Sequence, residues 1–571
     1  MSTYNTPGVY VEEISNLAPS VVQVATAVPA FIGYTEKGYN KNPVAIRIDT
    51  LLDYTNLFGG PNLSSFSVDG NLNVTRNDPI NFLMYYAIQM YFFNGGSSCY
   101  IVSIGDYSKT PNSKEFLSGI DLLEKQDEPT IIVMVDAVNL SKNDYYTTLC
   151  AKALAQCDKL KDRFLIVDVI KDASTIATVA NPTPSQATLA NPQVATDNPQ
   201  VTTTITELSD DVTDFRNNIG MENLCYGAAY YPYLKTNLVY QSQDQNVSVT
   251  LSQWSSDASG SNNGITVINW DNSLVNISIS QGSTANFSFD TTTTPGTLAI
   301  TLPTGPTVTA SQLVSAWQNR SGANSNNYSI SQNGNGSANI AAITTPALLN
   351  QTTKTLDTLK TSNTLLYNQV KTKLSSQYIT LPPSSAMAGI YVSVDRDRGV
   401  WKAPANVSIA SVIGPEIQIN NDAQSDLNID AAGGKSINAI RAFTGKGTLV
   451  WGARTMAGNN NDWRYISVRR LLITIEESCL KASNFAVFEA NDAVTWLKVK
   501  SMIESYLYRL WEQGALAGAN QSAAYYVNIG LGKTMTPEDV LEGRMIVEVG
   551  VSPVRPAEFI VLRFTQMVQQ S

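Results

Sequence analysis

The 571-residue chain contains no histidine. That removes the commonest general base and the commonest transition-metal ligand together, and with them most hydrolase mechanisms. Cysteine is scarce: Cys99, Cys150, Cys157, Cys225 and Cys479 are odd in number and form no CxxC pair. Neither a zinc site nor a disulfide framework is expected, and a reducing compartment is the better match. Charge is thin as well, at 15% of residues. The 48 acidic and 38 basic side chains leave a net charge of -10 with no basic stripe, which excludes a phosphate-neutralising surface of the nucleic-acid-binding kind. No segment reaches the roughly 20 apolar residues that cross a bilayer. Met1 to Tyr10 carries no basic residue and no apolar run, so no Sec leader is expected.

Hydrophobic residues make up 43% of the chain, a globular content, and the length predicts two to four structural units of roughly 100 to 200 residues each. Thr6 to Ile14 reads as a short extended strand and Val21 to Gly33 as a second β-rich run. Asp78 and Pro79 read as the cap and first turn of a helix through Ile80, Leu83, Met84, Ala87 and Tyr91, stopped at Gly95 and Gly96. Apolar runs at Cys99–Ile104, Thr130–Val135 and Arg163–Val169, with a helix over Tyr145–Leu160, predict an α/β layer with parallel strands. Residues 175–205 read as a loose connector. Asp210 to Asn223 reads as a further helix. From about 236 to 350 Ser, Thr, Asn and Gly dominate, and short alternating runs such as Thr297 to Leu302 predict an inserted β-domain.

The last third is the most strongly patterned. Val468, Leu471, Leu472, Ile475 and Cys479 share a helical face behind Ser467 as cap. A second helix runs from about Asp492 to Gln513 through Trp496, Val499, Ile503, Leu507 and Leu510, ending at Gly514. Two strand signals close the chain, Glu542–Val549 and Glu558–Thr565.

Chemistry finds few footholds. Gly433-Gly434-Lys435-Ser436 and Gly530-Leu531-Gly532-Lys533-Thr534 hint at a phosphate loop, but the glycine required five positions earlier is replaced by Ile429 and Val527. Asp136 and Asp168 each end an apolar strand, where parallel sheets place metal-binding carboxylates. Loop capping is the plainer reading, because no glycine-rich loop, lysine or histidine accompanies them. No catalytic residue, metal or cofactor is expected. Asp395-Arg396-Asp397-Arg398 reads as an ion-paired turn, and Arg469, Arg470, Glu476 and Glu477 as a solvated helix face.

Separated segments resemble the tail sheath proteins of contractile phages, R-type pyocins and extracellular contractile injection systems. They are Pro7-Gly8-Val9-Tyr10-Val11-Glu12-Glu13, Phe92-Phe93-Asn94-Gly95-Gly96 with Cys99 to Val102, and Asp162 to Asp168. Further on come Val394 to Asn406, Ile437 to Arg441, Gly447 to Thr455, Trp463 to Leu471 and Arg555 to Val561. The resemblance covers roughly residues 1–235 and 380–571.

It implies a mixed α+β and α/β, multi-domain sheath subunit with an α/β core, an inserted β-rich outer domain and extended terminal β-arms. The expected division is an amino-terminal arm at 1–20, an α/β sheath domain at 21–235, the outer insertion at 236–375, a return segment at 376–435, an inner domain facing the tube at 436–555 and a carboxy-terminal arm at 556–571. The arms, carried by Val9, Tyr10 and Val11 and by Phe559, Ile560, Val561, Leu562, Arg563 and Phe564, would add strands to neighbouring subunits. Lys498, Lys500 and Glu504 are tube-facing candidates, and Asp395, Arg396, Asp397 and Arg398 candidates for ion pairs between subunits. The implied function is structural, without enzymatic activity: stacked six-fold rings around an inner tube that contract to drive it through a target envelope. The implied partners are further copies, the inner tube, and baseplate and terminal cap proteins. Assembly is expected in the bacterial cytoplasm, with release outside the cell left open. The alternative is a surface-binding, adhesin-type module built on the β-rich insertion.

Overall fold

The structure is a computed structural model that describes residues 20–38, 43–69, 72–171, 204–205, 210–256, 264–269, 275–290, 295–305, 307–320, 328–343, 345–362 and 364–562. The amino-terminal arm, most of the 175–205 connector, and Arg563 and Phe564 lie outside the described residues.

Apolar runs that are buried on both faces form the middle of a nine-stranded sheet. Its strands are β1 (Pro29–Tyr34), β2 (Val44–Ile48), β3 (Cys99–Gly105), β4 (Ile131–Met134), β5 (Phe164–Asp168), β6 (Gly227–Tyr231), β7 (Val407–Ser408), β8 (Ile437–Phe443) and β9 (Gly447–Val450), in spatial order β2-β3-β1-β4-β5-β6-β8-β9-β7. The six strands from β3 to β8 run parallel, and antiparallel strands close both ends. The predicted parallel layer is present. The second β-rich run is shorter than expected, since only Pro29–Tyr34 is strand.

Among the helices that pack on this sheet are α1 (Met84–Phe93) and α2 (Ser384–Arg398). The first begins five residues later than its sequence suggests. Asp78 is drawn away to accept hydrogen bonds from the Ser65 backbone amide and hydroxyl, both at 2.9 Å, so it cannot cap a helix. A Cβ on Gly389 of α2 would stand 2.5 Å from the Tyr91 carbonyl oxygen of α1, a backbone atom that cannot step aside. Gly389→Ala is therefore expected to lower the unfolding free energy by roughly 1–3 kcal/mol, measured by chemical denaturation.

The β-rich insertion recruits a partner from outside its own span. Its strand Val247–Ser255 pairs in parallel with Phe66–Val68, whose hairpin mate is Val74–Arg76. Phe66 and Val68 accordingly share an apolar cluster with Val247, Val249, Leu251 and the helical residues Leu356, Leu359 and Val370. A second cluster inside the insertion gathers Ile277, Leu298, Ile300, Leu313 and Trp317.

The last core belongs to helices α3 (Ile466–Ser483) and α4 (Ala493–Glu512) and the antiparallel pair β10 (Tyr525–Ile529) and β11 (Val547–Val551). The second helix starts close to where its sequence predicts, and Asp492 caps α4 by accepting from the Val494 and Thr495 amides at 3.0 Å. Ser467 does not cap α3. It lies inside the helix, buried, and its hydroxyl has no hydrogen-bond partner. The helix begins earlier because Ile466 is pulled into the main core, while Leu471 and Ile475 enter the carboxy-terminal one. Burial on two sides blurs the single apolar face that the sequence advertises.

Candidate assembly interface

The two chain ends leave the body from fixed points. The Val24 amide donates to the Ser478 hydroxyl of α3 at 3.2 Å, and Arg509 of α4 donates to the Val21 carbonyl at 3.0 Å. Val21 itself is buried in the carboxy-terminal core. Whatever precedes Ser20 therefore starts against α3 and α4. At the other end, Phe559, Ile560, Val561 and Leu562 are 71%, 80%, 76% and 72% exposed and form no strand. The strand expected over Glu558–Thr565 is thus absent from its described part. A strand needs a ladder partner, and four consecutive exposed apolar residues have none in a single chain.

The carboxy-terminal sheet consists of β10 and β11 alone among the described residues, so each strand has one open edge. The strand expected at Glu542–Val549 begins later, at Val547, because Thr536 and Asp539 form a capping box on a short helix, Pro537–Leu541, whose continuation occupies the approach.

Between the α/β layer and this region lies a buried charge network that the sequence reading assigned to solvent. Arg470 of α3 grips Asp395 of α2 in a fork, with Nη1 to Oδ1 at 2.9 Å and Nη2 to Oδ2 at 2.6 Å, and both side chains are 4% exposed. The same Nη2 donates to the Thr26 carbonyl at 2.9 Å, and the guanidinium lies 4.7 Å over the Tyr391 ring. Arg469 is also buried, between the Tyr226 and Trp463 rings, and pairs with Glu476 at 3.1 Å. The solvated-face reading of Arg469 and Arg470 is corrected on this ground.

The turn expected at 395–398 is the last turn of α2, ended by Gly399 at φ 87. Asp395 is committed inside the chain. Arg396 and Asp397 pair with each other on the surface at 2.9 Å, and Arg398 is exposed. On α4, Lys500 and Glu504 pair at 3.6 Å, whereas Lys498 stands exposed beside Val494 and Leu497, themselves 61% and 64% exposed. Just before α4, Phe488 is fully exposed at φ 68, a conformation that bulky residues seldom adopt.

The two strand-end aspartates act as loop ties. Asp136 accepts from the Leu83 amide at 2.6 Å and the Tyr34 amide at 2.8 Å, and Asp168 accepts from the Ser384 amide at the start of α2 at 2.9 Å. Burial pushes both carboxyls up to about 7 against these hydrogen bonds, which favour the charged form. A carboxyl whose folded pKa lies above its unfolded value contributes stability that is complete below about 4 and is lost as pH rises through about 7. The melting temperature is therefore expected to rise between pH 8 and pH 6. In Asp168→Asn, whose amide needs no proton, that rise shrinks by about 1 °C in differential scanning fluorimetry.

A cavity of about 170 Å³ opens near Thr26, Thr130, Phe164 and Arg470, and neither aspartate lines it. Lys435 is buried and donates to the Arg216 carbonyl, and the Thr534 hydroxyl donates to the Ile546 carbonyl at 2.7 Å, so both glycine-lysine stretches are structural turns. Among the described residues no group of three or more metal-ligating side chains converges, and no helix is long and apolar enough to cross a membrane.

The known proteins that this chain is similar to are sheath proteins. Residues 458–567 match the phage tail sheath C-terminal domain. A tail sheath protein of Vibrio phage KVP40 is 25% identical over 188 residues, 32% of this chain and 26% of that protein, so the match spans about a quarter of its length. Over the whole chain, the contracted sheath complex of an extracellular contractile injection system, PVC, is 26% identical with a TM-score of 0.54, covering 100% of this chain and 99% of that one. The contracted helical sheath of the anti-feeding prophage AFP is equally similar, at 26% identity and a TM-score of 0.54, covering 99% and 100%. A chain in the 6-fold symmetrised AFP baseplate is 26% identical with a TM-score of 0.53, covering 99% of this chain and 100% of that one. The chain is thus similar to contractile tail sheath proteins, the family its motifs resemble. Its full-length similarity runs to the sheaths of extracellular contractile injection systems.

Proposed function

We propose that the chain is the sheath subunit of a contractile, phage-tail-like injection machine, a structural polymer and not an enzyme. Copies stack in six-fold rings around an inner tube and, on a trigger from the baseplate, move into a shorter lattice that drives the tube through a target envelope. The observation that carries this reading is the match over nearly the full length of two contracted sheaths. The similarity to a chain in a 6-fold symmetrised baseplate supports the ring symmetry and the baseplate as a partner.

The geometry supplies a physical route to the polymer. Both ends start from anchored roots, and β10 and β11 offer open edges that extended arms of other copies can extend by main-chain hydrogen bonds. Residues 1–20 and 556–571 serve as the arms, 21–235 and 376–435 as the α/β sheath domain, 236–375 as the outer insertion and 436–555 as the inner domain. Lys498, Lys500 and Glu504 face the tube, and Arg396, Asp397 and Arg398 remain for pairing between subunits. Assembly takes place in the bacterial cytoplasm, with a terminal cap protein closing the particle.

Negative-stain electron microscopy of the purified chain with its inner tube protein tests the reading. Regular striated tubes are expected. A chain that stays monomeric would remove the sheath and favour a surface-binding module.

A further inference from the structure

The carboxy-terminal segment is not tied only to its own small sheet. Its backbone leaves β11 at Val551, and the Val554 amide donates to the Ala515 carbonyl at 3.2 Å. Four residues later it meets a clamp built on the other body of the molecule. Glu558 accepts from Arg454 Nε at 2.8 Å through Oε1 and from Arg454 Nη2 at 2.6 Å through Oε2. Asn428 Nδ2 donates to Oε1 at 2.9 Å, and the Tyr465 hydroxyl to Oε2 at 3.3 Å. The Arg454 side chain is 5% exposed and that of Glu558 21%.

The arginine is itself fixed from the central sheet. Its backbone amide donates to Asn438 Oδ1 of β8 at 2.8 Å, and Asn438 Nδ2 donates back to its carbonyl at 2.8 Å. Its Nη1 reaches the Asn428 carbonyl at 3.2 Å. A planar fork held at the donor, the backbone and the acceptor leaves Glu558 little freedom. Directly beyond it the chain becomes fully exposed at Phe559 to Leu562. Among the described residues, Glu558 is thus the last that the body holds.

We infer that Arg454 and Glu558 form the positioning clamp of the carboxy-terminal arm, setting on the α/β body the point and direction from which the arm leaves for another copy. The inference rests on the sheath reading. Without the clamp the tether starts at Val554 on the carboxy-terminal sheet, held beyond it only by the exposed Arg555–Asp462 pair at 3.8 Å. A longer, freely swinging tether lowers the effective concentration of the arm at its docking edge. Rings that move relative to one another while joined by such arms need that origin fixed to the body that moves.

The single substitutions strand a charge, so the deciding variant is the full chain carrying Arg454→Met and Glu558→Met together, since replacing both partners of a buried pair is close to neutral for folding. Two readouts separate the possibilities. In the monomer, chymotrypsin needs an extended stretch on both sides of Phe559, so cleavage there is expected to be at least about five-fold faster in the double variant, scored by mass spectrometry. With the inner tube protein, the double variant is expected to melt like the wild type yet form few or no tubes. Wild-type-like cleavage together with wild-type-like tubes would overturn the clamp and leave the sheath reading intact. Faster cleavage with no tubes from either protein would uphold the clamp as the arm's anchor and overturn the sheath reading.

Discussion

Deleting residues 559–571 is expected to abolish tube formation while leaving the monomer folded. The deletion starts after Glu558, so the Arg454 pair stays satisfied and no buried charge is exposed. Phe559 to Leu562 are 71–80% exposed in the chain, so their removal takes no described residue out of any of the four apolar cores. The melting temperature should shift by less than about 2 °C, in line with surface changes within roughly 0.5 kcal/mol. Polymer yield, counted by negative-stain microscopy or sedimentation, should fall to background, because the strand that would extend β10 or β11 of another copy is gone. Tubes of normal length from the truncated chain would remove the carboxy-terminal arm from the account.

The second large effect concerns stability. Arg470→Met leaves Asp395 buried without its partner and is expected to cost about 3–5 kcal/mol, the range for breaking a buried ion pair from one side. The Thr26 carbonyl also loses one of its two donors, keeping only the Thr130 hydroxyl at 3.1 Å, which loosens the entry of the chain into β1. Replacing both partners, as in Arg470→Met with Asp395→Leu, is expected to recover most of that loss, to within about 1–2 kcal/mol of the wild type. Urea denaturation of the four proteins closes the cycle. Near-additive costs would mean that the pair does not hold α2 and α3 together.

These contrasts explain which parts of the fold were legible. The strands around Ile101, Ile132 and Ile166 could be read because a strand covered on both faces is a continuous apolar run, and the start of α4 near Asp492 because its periodic apolar face and its capping partners are local in sequence. Arg470 could not, because a cation on a helix looks solvated until its partner, 75 residues earlier in the chain, is placed beside it. Asp78 failed for the same reason, since Ser65 competes for its carboxylate. The pairing of Phe66–Val68 with a strand some 180 residues later leaves no local trace either.

Of the candidate assembly residues, the sequence singled out 559–562 as a strand through its motif and β propensity, whereas in the single chain these residues are exposed and form no strand. It did not show Glu558 as the anchor. That role depends on Arg454, Asn428 and Tyr465 converging from three separate segments.

The most direct test of strand exchange is a cryo-electron microscopy map of the assembled tube at a resolution that traces the main chain. Residues 559–571 of one copy are expected to run as a strand along the open edge of β10 or β11 of another, with Glu558 still held by Arg454 of its own chain. A tube in which that segment folds back onto its own copy, or makes no main-chain pairing at all, would contradict it.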